Sequence, residues 1–233
     1  MKKITLIWVL IWVLNTGFAQ DSKPNIVYIF DPLCSWCYTF HPIMEKIQEK
    51  YAGKINFTVV TGGMITGDKV RTISQISDYI LAGYKDMELK SNVKFGDNYI
   101  NLVKEGSTVL HSDKPCKAVV AFRIMDPSKS LNFSHDLQRK LFLYGSSLNE
   151  DSTYHNISKE YGIDGIQFLK KMKSDSVKLD LLNDYKKVEE GGITGFPTLI
   201  MRINGQVILI NTGFEKFEKL EKKIDKILKQ HKG

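Results

Sequence analysis

Strand-forming sequence lies only near the two ends of this chain, with a long helical stretch between, and that distribution limits the folds open to it. Asn25 to Phe30 is a β-branched and aromatic run of strand length, stopped by Asp31-Pro32 because proline lacks a donor and fixes φ. From Trp36 onward, Phe40, Ile43, Met44 and Ile47 fall at the spacing of a helix with one buried stripe. Ile55 to Thr61 returns to strand before Gly62-Gly63, completing a βαβ unit that is right-handed by the general rule. Thr66 to Glu190 then largely loses the strand signal. Its periodicity predicts helices over Lys69 to Tyr84, Asp113 to Met125 with Ser112 as cap, Lys129 to Leu148, Ser152 to Tyr161, Gly165 to Lys173 and Asp175 to Glu189. Gly191-Gly192 ends this block. Thr198 to Ile203 and Val207 to Ile210 follow as strands joined by Asn204-Gly205, the pair that a two-residue hairpin turn prefers. Phe214, Phe217, Leu220, Ile224, Ile227 and Leu228 mark a closing amphipathic helix.

Two thiols separated by two residues, Cys34-Ser35-Trp36-Cys37, stand at the first strand-to-helix junction. Unpaired amides and the positive end of the helix dipole favour an anion there, so Cys34 is the expected nucleophile. Cys37, one turn deeper on the same face, is the natural resolving partner. A structural zinc half-site would need two more ligands, and the chain offers one further cysteine, Cys116, with His41 as the nearest imidazole. A purely structural bridge over so short a loop would restrain the unfolded chain little. The pair therefore reads as a redox dithiol, with no metal and no cofactor.

Lys2-Lys3 is a short basic head, Ile4 to Leu14 is almost wholly apolar, and Gly17-Phe18-Ala19 offers the small residues that a signal peptidase reads. A leader over residues 1–19 is expected, with export to the periplasm or cell envelope. The apolar stretch is shorter than the ~20 residues that span a bilayer, so no stable membrane insertion is expected. The formal net charge of +7 is spread along the chain without a basic block, the pattern of a solvated surface and not of a nucleic-acid footprint. Three cysteines are too few for a disulfide-stapled scaffold, so the core has to come from apolar burial.

The order βαβ, helical block, ββα, with the dithiol at the first junction, resembles the thioredoxin superfamily. Within it, the chain is similar to the DsbA-like thiol:disulfide oxidoreductases, whose helical domain is inserted in a thioredoxin core. The residues that carry the resemblance are Asp31-Pro32-Leu33-Cys34-Ser35-Trp36-Cys37-Tyr38, Pro42 in the first helix, and Gly192-Ile193-Thr194-Gly195-Phe196-Pro197-Thr198-Leu199. What it implies is an α/β, thioredoxin-like fold with a large α-helical insertion. Residues 20–65 and 191–233 would form the thioredoxin-like domain and residues 66–190 the insertion. The resemblance also implies a cis Phe196-Pro197 bond packed against the active-site cysteines. The Phe196 backbone would then pair with an extended substrate strand, with Trp36 bordering the docking surface. The implied partners are cysteine-containing secreted proteins and a redox partner that the sequence does not name.

Other residues have two readings each. Asp31 is a proton acceptor near Cys37 or half of a turn-forming Asp-Pro. Trp36 borders the docking surface or packs in the core, and Tyr38 reads more readily as core. His41 reads as a packing or helix-surface residue, with a ligand or base role as the alternative. Cys116, beside Val119, Val120 and Ile124, has the pattern of a buried free thiol, the alternative being a regulatory partner of the dithiol. Pro42 should kink the first helix. Two further functions suit the same fold. A glutathione-dependent isomerase or transferase needs only one activated hydroxyl or thiol, so an intact dithiol argues against it. A non-catalytic peptide-binding chaperone would use the apolar surface around Trp36 and Phe196.

Overall fold

The computed structural model describes residues 23–231, so the expected leader at 1–19 lies outside the described residues. The strand β1 (Asn25–Phe30) runs through the middle of a four-stranded sheet. It pairs parallel with β2 (Asn56–Thr61) on one side and antiparallel with β5 (Thr198–Ile203) on the other, and β6 (Gln206–Thr212) closes the order β2-β1-β5-β6. A central strand covered on both faces reads as a continuous apolar run, which is what Ile26 to Phe30 is.

Alternation sends its side chains to two clusters. Ile26, Tyr28 and Phe30 meet Phe40, Met44 and Ile47 of α1 (Ser35–Lys50) and Leu220 and Ile224 of α9 (Phe217–Gln230). Each fully buried side chain of this size stabilises the fold by about 1.5–3 kcal/mol. Val27 and Ile29 form a smaller cluster with Val60 and with Val188 of α8 (Asp175–Glu190). The β5–β6 turn has Asn204 at φ 48° and Gly205 at φ 74°, the two positive angles that a type I′ turn needs.

Between β2 and β5 lie α2 (Ser77–Ser91), α3 (Asp97–Glu105), α4 (Asp113–Met125), α5 (Ser130–Phe142), α6 (Asp151–Glu160), α7 (Gly165–Met172) and α8. The bounds of α4 are those expected from periodicity, and α6, α7 and α8 agree to within a residue at each end. The helix expected over Lys69 to Tyr84 is not continuous. Two 3₁₀ turns flank β3 (Arg71–Thr72), which pairs antiparallel with β4 (Val109–Leu110), and α2 starts only at Ser77. A partner strand distant in sequence outweighs the local helical preference there. The helix α3 was not expected. It is bracketed by Gly96 and by Gly106 at φ 73°, and it buries Tyr99, Ile100 and Val103. The helix expected over Lys129 to Leu148 stops at Phe142, ahead of Gly145 at φ 68°. Helix α1 remains one helix through Pro42.

An ion pair fixes the helical block to the edge of the sheet. Arg123 of α4 donates to both carboxylate oxygens of the buried Asp184 of α8 at 2.7 and 3.1 Å, and Asp184 accepts the Thr61 amide at 3.0 Å. The block is thereby anchored at the C-terminal end of β2, beside the start of α1. Among the described residues no helix is long and apolar enough to cross a membrane.

Candidate active site

Proline at position 32 ends β1, and the chain turns tightly, with the Cys34 amide donating to the Asp31 carbonyl at 3.0 Å. Cys34 is the N-cap of α1. Its backbone is extended at φ −85° and ψ 111°, and its sulfur accepts the Cys37 amide at 3.3 Å. A sulfur here does the work that a Ser or Asp oxygen does at an ordinary N-cap, satisfying a donor that the helix leaves unpaired.

The two thiols differ in access. Cys34 is 6% exposed and lines a cavity of about 790 Å³ together with Leu33, Trp36, Ile65, Tyr185 and Phe196. Cys37 is fully enclosed. Burial pushes the Cys37 thiol well above its ordinary pKa, and the hydrogen bond and charge of Cys34 push in the same direction. Both sulfurs are free, and among the described residues no third His, Cys, Asp or Glu completes a metal cluster with them.

Across the cavity mouth, the Phe196-Pro197 peptide is cis. The Cys34 thiol donates to the Phe196 carbonyl at 3.8 Å, so residues 34 and 197 are brought together from opposite ends of the chain. The Phe196 ring lies on Gly62, where a β-carbon would stand 2.2 Å from it. Trp36 is half-buried. Its ring packs against Phe214 with centroids 5.7 Å apart, and the Lys90 ammonium lies 5.9 Å from it, so the residue is both a core contact and part of the cavity wall. Tyr38 is core. It stacks on Phe142 and donates to the Lys94 carbonyl at 2.9 Å, and burial raises its pKa to about 12.

Asp31 is far more than a turn residue. Its carboxylate is fully buried and accepts four donors: the Leu33 amide at 2.9 Å, the Met64 amide at 2.7 Å, the Ser112 hydroxyl at 3.1 Å and the Cys116 thiol at 3.8 Å. Desolvation raises its pKa in spite of these donors. The sequence reading of Ser112 as the cap of α4 needs correction. The residue stands at the N-cap position, but its hydroxyl makes no cap hydrogen bond; it accepts the Ile65 amide and donates to Asp31. A buried carboxylate has to be satisfied by donors, and the Ser112 hydroxyl is one of the four that reach it.

Cys116 is buried and free. Burial, with the charge of Asp31, raises its pKa well above the ordinary value. Gln138 of α5 was not singled out from sequence. Its Nε2 donates to the carbonyls of Asp31 at 3.2 Å and Cys34 at 3.3 Å, holding the turn ahead of α1. Nothing in the sequence marks Tyr28 beyond its place in a strand, yet its hydroxyl donates to the Cys37 carbonyl at 3.4 Å. A lone polar side chain in a helix or an aromatic in a strand carries no local signal of such a partner. His41 is buried against His135 and is not part of this site.

A family model described as thioredoxin matches residues 28–221. Curated relatives include the ClpXP adapter protein SpxH of Bacillus subtilis, 24% identical over 188 residues, covering 78% of this chain and 59% of the relative. The SpxH of Halalkalibacterium halodurans is 22% identical over 187 residues, covering 78% and 60%. The chain thus spans about three fifths of the length of these relatives. Among solved structures, a Nitrosomonas europaea protein provisionally assigned as a protein disulfide isomerase superposes with TM-score 0.79 at 24% identity, covering 90% of this chain and 99% of that one. The cytosolic disulfide reductase DsbM of Pseudomonas aeruginosa gives TM-score 0.75 at 20% identity, covering 88% and 99%. The DsbA oxidoreductase of Xylella fastidiosa gives 0.57 at 14%, covering 90% and 87%. The architecture of β1 to β6 with its inserted helices is that of the DsbA-like fold.

Proposed function

The chain belongs to the thioredoxin family, and from that premise we propose that it is a thiol:disulfide oxidoreductase acting on cysteine-containing proteins through Cys34 and Cys37. In the exchange, the Cys34 thiolate attacks one sulfur of a client disulfide, and the client's other sulfur leaves as a thiolate and takes up a proton. Cys37 then gives up its proton and attacks the Cys34 sulfur of the mixed disulfide. The client's second sulfur departs, the client has gained two electrons, and the Cys34–Cys37 pair is oxidised. Run in reverse, the same steps oxidise a client dithiol.

The observation that carries this reading is the unequal placement of the two sulfurs. Cys34 lines the cavity, accepts a helix N-terminal amide and faces the Phe196 carbonyl at 3.8 Å, whereas Cys37 is enclosed behind it. Only one sulfur meets a client, and the other is held for the second step. Phe196 and Trp36 line the place where the client chain would lie, and the buried Pro197 follows Phe196 directly behind it. Replacing Cys37 by Ala should leave a long-lived covalent adduct between Cys34 and client proteins, visible on a non-reducing gel. If no adduct forms through Cys34, the mechanism is wrong.

Export belongs to the same proposal and is supported by Lys2-Lys3, the apolar run Ile4 to Leu14 and the small residues ending at Ala19. One solved neighbour is a cytosolic reductase by its description and was also solved with GSH, which makes glutathione the small thiol against which the direction is best read. An equilibrium titration of the dithiol against glutathione separates an oxidant from a reductant. A second reading follows from the curated relatives, which are named as adapter proteins. There the cavity would hold a client protein without chemistry, and a Cys34→Ser, Cys37→Ser double variant would keep full biological activity.

A further inference from the structure

We propose that His41, Glu45 and His135 bind one divalent metal ion of zinc's type where α1 packs on α5. His41 and Glu45 are four residues apart and share one face of α1, and His135 projects from α5. The Glu45 Oε1 atom lies 3.4 Å from His135 Nδ1 and 3.8 Å from His41 Nε2, and all three donor atoms fall within 4.8 Å of one another. With bonds of about 2.0–2.1 Å, the donors of a tetrahedral zinc centre stand roughly 3.3–3.5 Å apart. The His135–Glu45 edge is already of that length.

The independent observation is His41 itself. The residue is fully buried, and among the described residues neither ring nitrogen has a hydrogen-bond partner. A buried polar atom with no partner costs about 1–3 kcal/mol, and an ion would satisfy the Nε2 atom, the one of the two that faces Glu45. Two imidazoles and a carboxylate form the borderline donor set that suits zinc. The side opposite His41 is open, since the Glu45 side chain is 47% exposed, which gives an ion both an entry path and room for water in its remaining positions.

One adjustment is required. The two rings are stacked, 3.7 Å between centroids and 14° between planes, so a single ion cannot lie in both ring planes as they stand. His135, the less buried ring, has to turn about its side-chain torsions to present Nδ1, whereas His41 is held by its surroundings. A bound ion would join α1 to α5 one turn before Gln138, the side chain that holds the Cys34 and Asp31 carbonyls. It would therefore stiffen the support of the dithiol from behind without touching either sulfur.

The test does not depend on the thiol-exchange reading. The full-length protein is first oxidised to close the Cys34–Cys37 bridge, because a free dithiol binds zinc on its own, and is then titrated with zinc chloride by calorimetry. One equivalent should bind, and His135→Ala and Glu45→Gln should each weaken binding on the order of 100-fold, since even outer-sphere changes at such sites cost 10–100-fold. Both variants alter partly exposed side chains, and unchanged circular dichroism certifies the fold. Cobalt(II) in place of zinc should give visible absorption bands that are absent in both variants. Zinc uptake below one equivalent, or equal affinity in the wild type and both variants, would overturn the proposal and leave a buried water as the partner of His41.

Discussion

Cys34 caps the N-terminus of α1 and Cys116 sits in the first turn of α4, and both approach Asp31, Cys34 at its backbone carbonyl and Cys116 at its carboxylate, yet their surroundings make them chemically opposite. Cys34 lines the cavity and accepts an amide, and its neighbour across the gap is the Phe196 carbonyl, in the bend that leads into β5. Cys116 has no exposed surface, and its thiol donates to a buried carboxylate, which opposes ionisation. A position near a helix N-terminus is thus insufficient for a reactive thiol; access and free donors decide.

The largest expected effect breaks this pair apart. Cys34→Ser should lower thiol exchange with a reduced or oxidised client by on the order of 10³-fold or more, the scale on which removal of a nucleophile acts. Cys116→Ala should leave the exchange rate within about twofold and cost about 1 kcal/mol of stability through the small cavity it leaves. Iodoacetamide trapping of the wild type sharpens the contrast, with Cys34 modified in the folded protein and Cys116 only after denaturation. Equal modification of the two thiols in the native state would remove the distinction.

Asp31 is the residue that the two regions share, and its replacement comes next in size. An Asn at this position keeps acceptors for one side of the group and sets an amide donor against the donors on the other, either Leu33 and Ser112 or Met64 and Cys116. The loss should be about 1–3 kcal/mol at neutral pH, read as a shift in the urea midpoint. The pH dependence carries the sign of the perturbation. The folded pKa of Asp31 is raised, so its contribution to stability is fully present below the ordinary carboxylate pKa of 3.8 and is lost as the pH rises through the folded value. Asp31→Asn should therefore flatten that part of the stability profile. Parallel wild-type and variant profiles above pH 3.8 would mean that the buried charge does not titrate there.

The chemistry of the α1 side was legible in the chain because it is local. The Asp-Pro stop, the CxxC spacing, the Asn204-Gly205 turn and the Phe196-Pro197 dipeptide each depend on neighbours within a few residues. The α4 side was not. Ser112 looks like a helix cap by every local rule, and only the arrival of Asp31 from another part of the fold diverts its hydroxyl. Gln138 and Tyr28 find their partners across 107 and 9 residues of sequence, and nothing adjacent to either marks it out. The same limit explains β3 and β4, whose two-residue pairing overrides a helical pattern, and α3, whose nine residues are too few for periodicity to stand out.

Two consecutive glycines after β2 both line the cavity but lie under different rings, and they offer the finest test of the comparison. A β-carbon on Gly62 would press into the Phe196 ring at 2.2 Å, on the Cys34 side; one on Gly63 would press into the Tyr185 ring at 2.7 Å, on the side that closes over Cys116. Gly63 also has φ +62°, so an L side chain there is strained whatever the space. Gly62 carries no such strain, and the three atoms nearest to an added β-carbon all belong to the Phe196 ring, so substitution by Ala acts first through that ring. The displaced ring should shift the Phe196 carbonyl from its place facing Cys34 and weaken client docking. The expected change is a rise of about five- to tenfold in KM, roughly 1–1.4 kcal/mol, with kcat within about twofold because neither sulfur is touched. Cys116 should remain protected from alkylation in this variant. If Gly62→Ala instead exposed Cys116 or lowered kcat while KM stayed the same, the two glycines would not partition between the two thiols, and the cavity and the buried carboxylate would have to be treated as one unit.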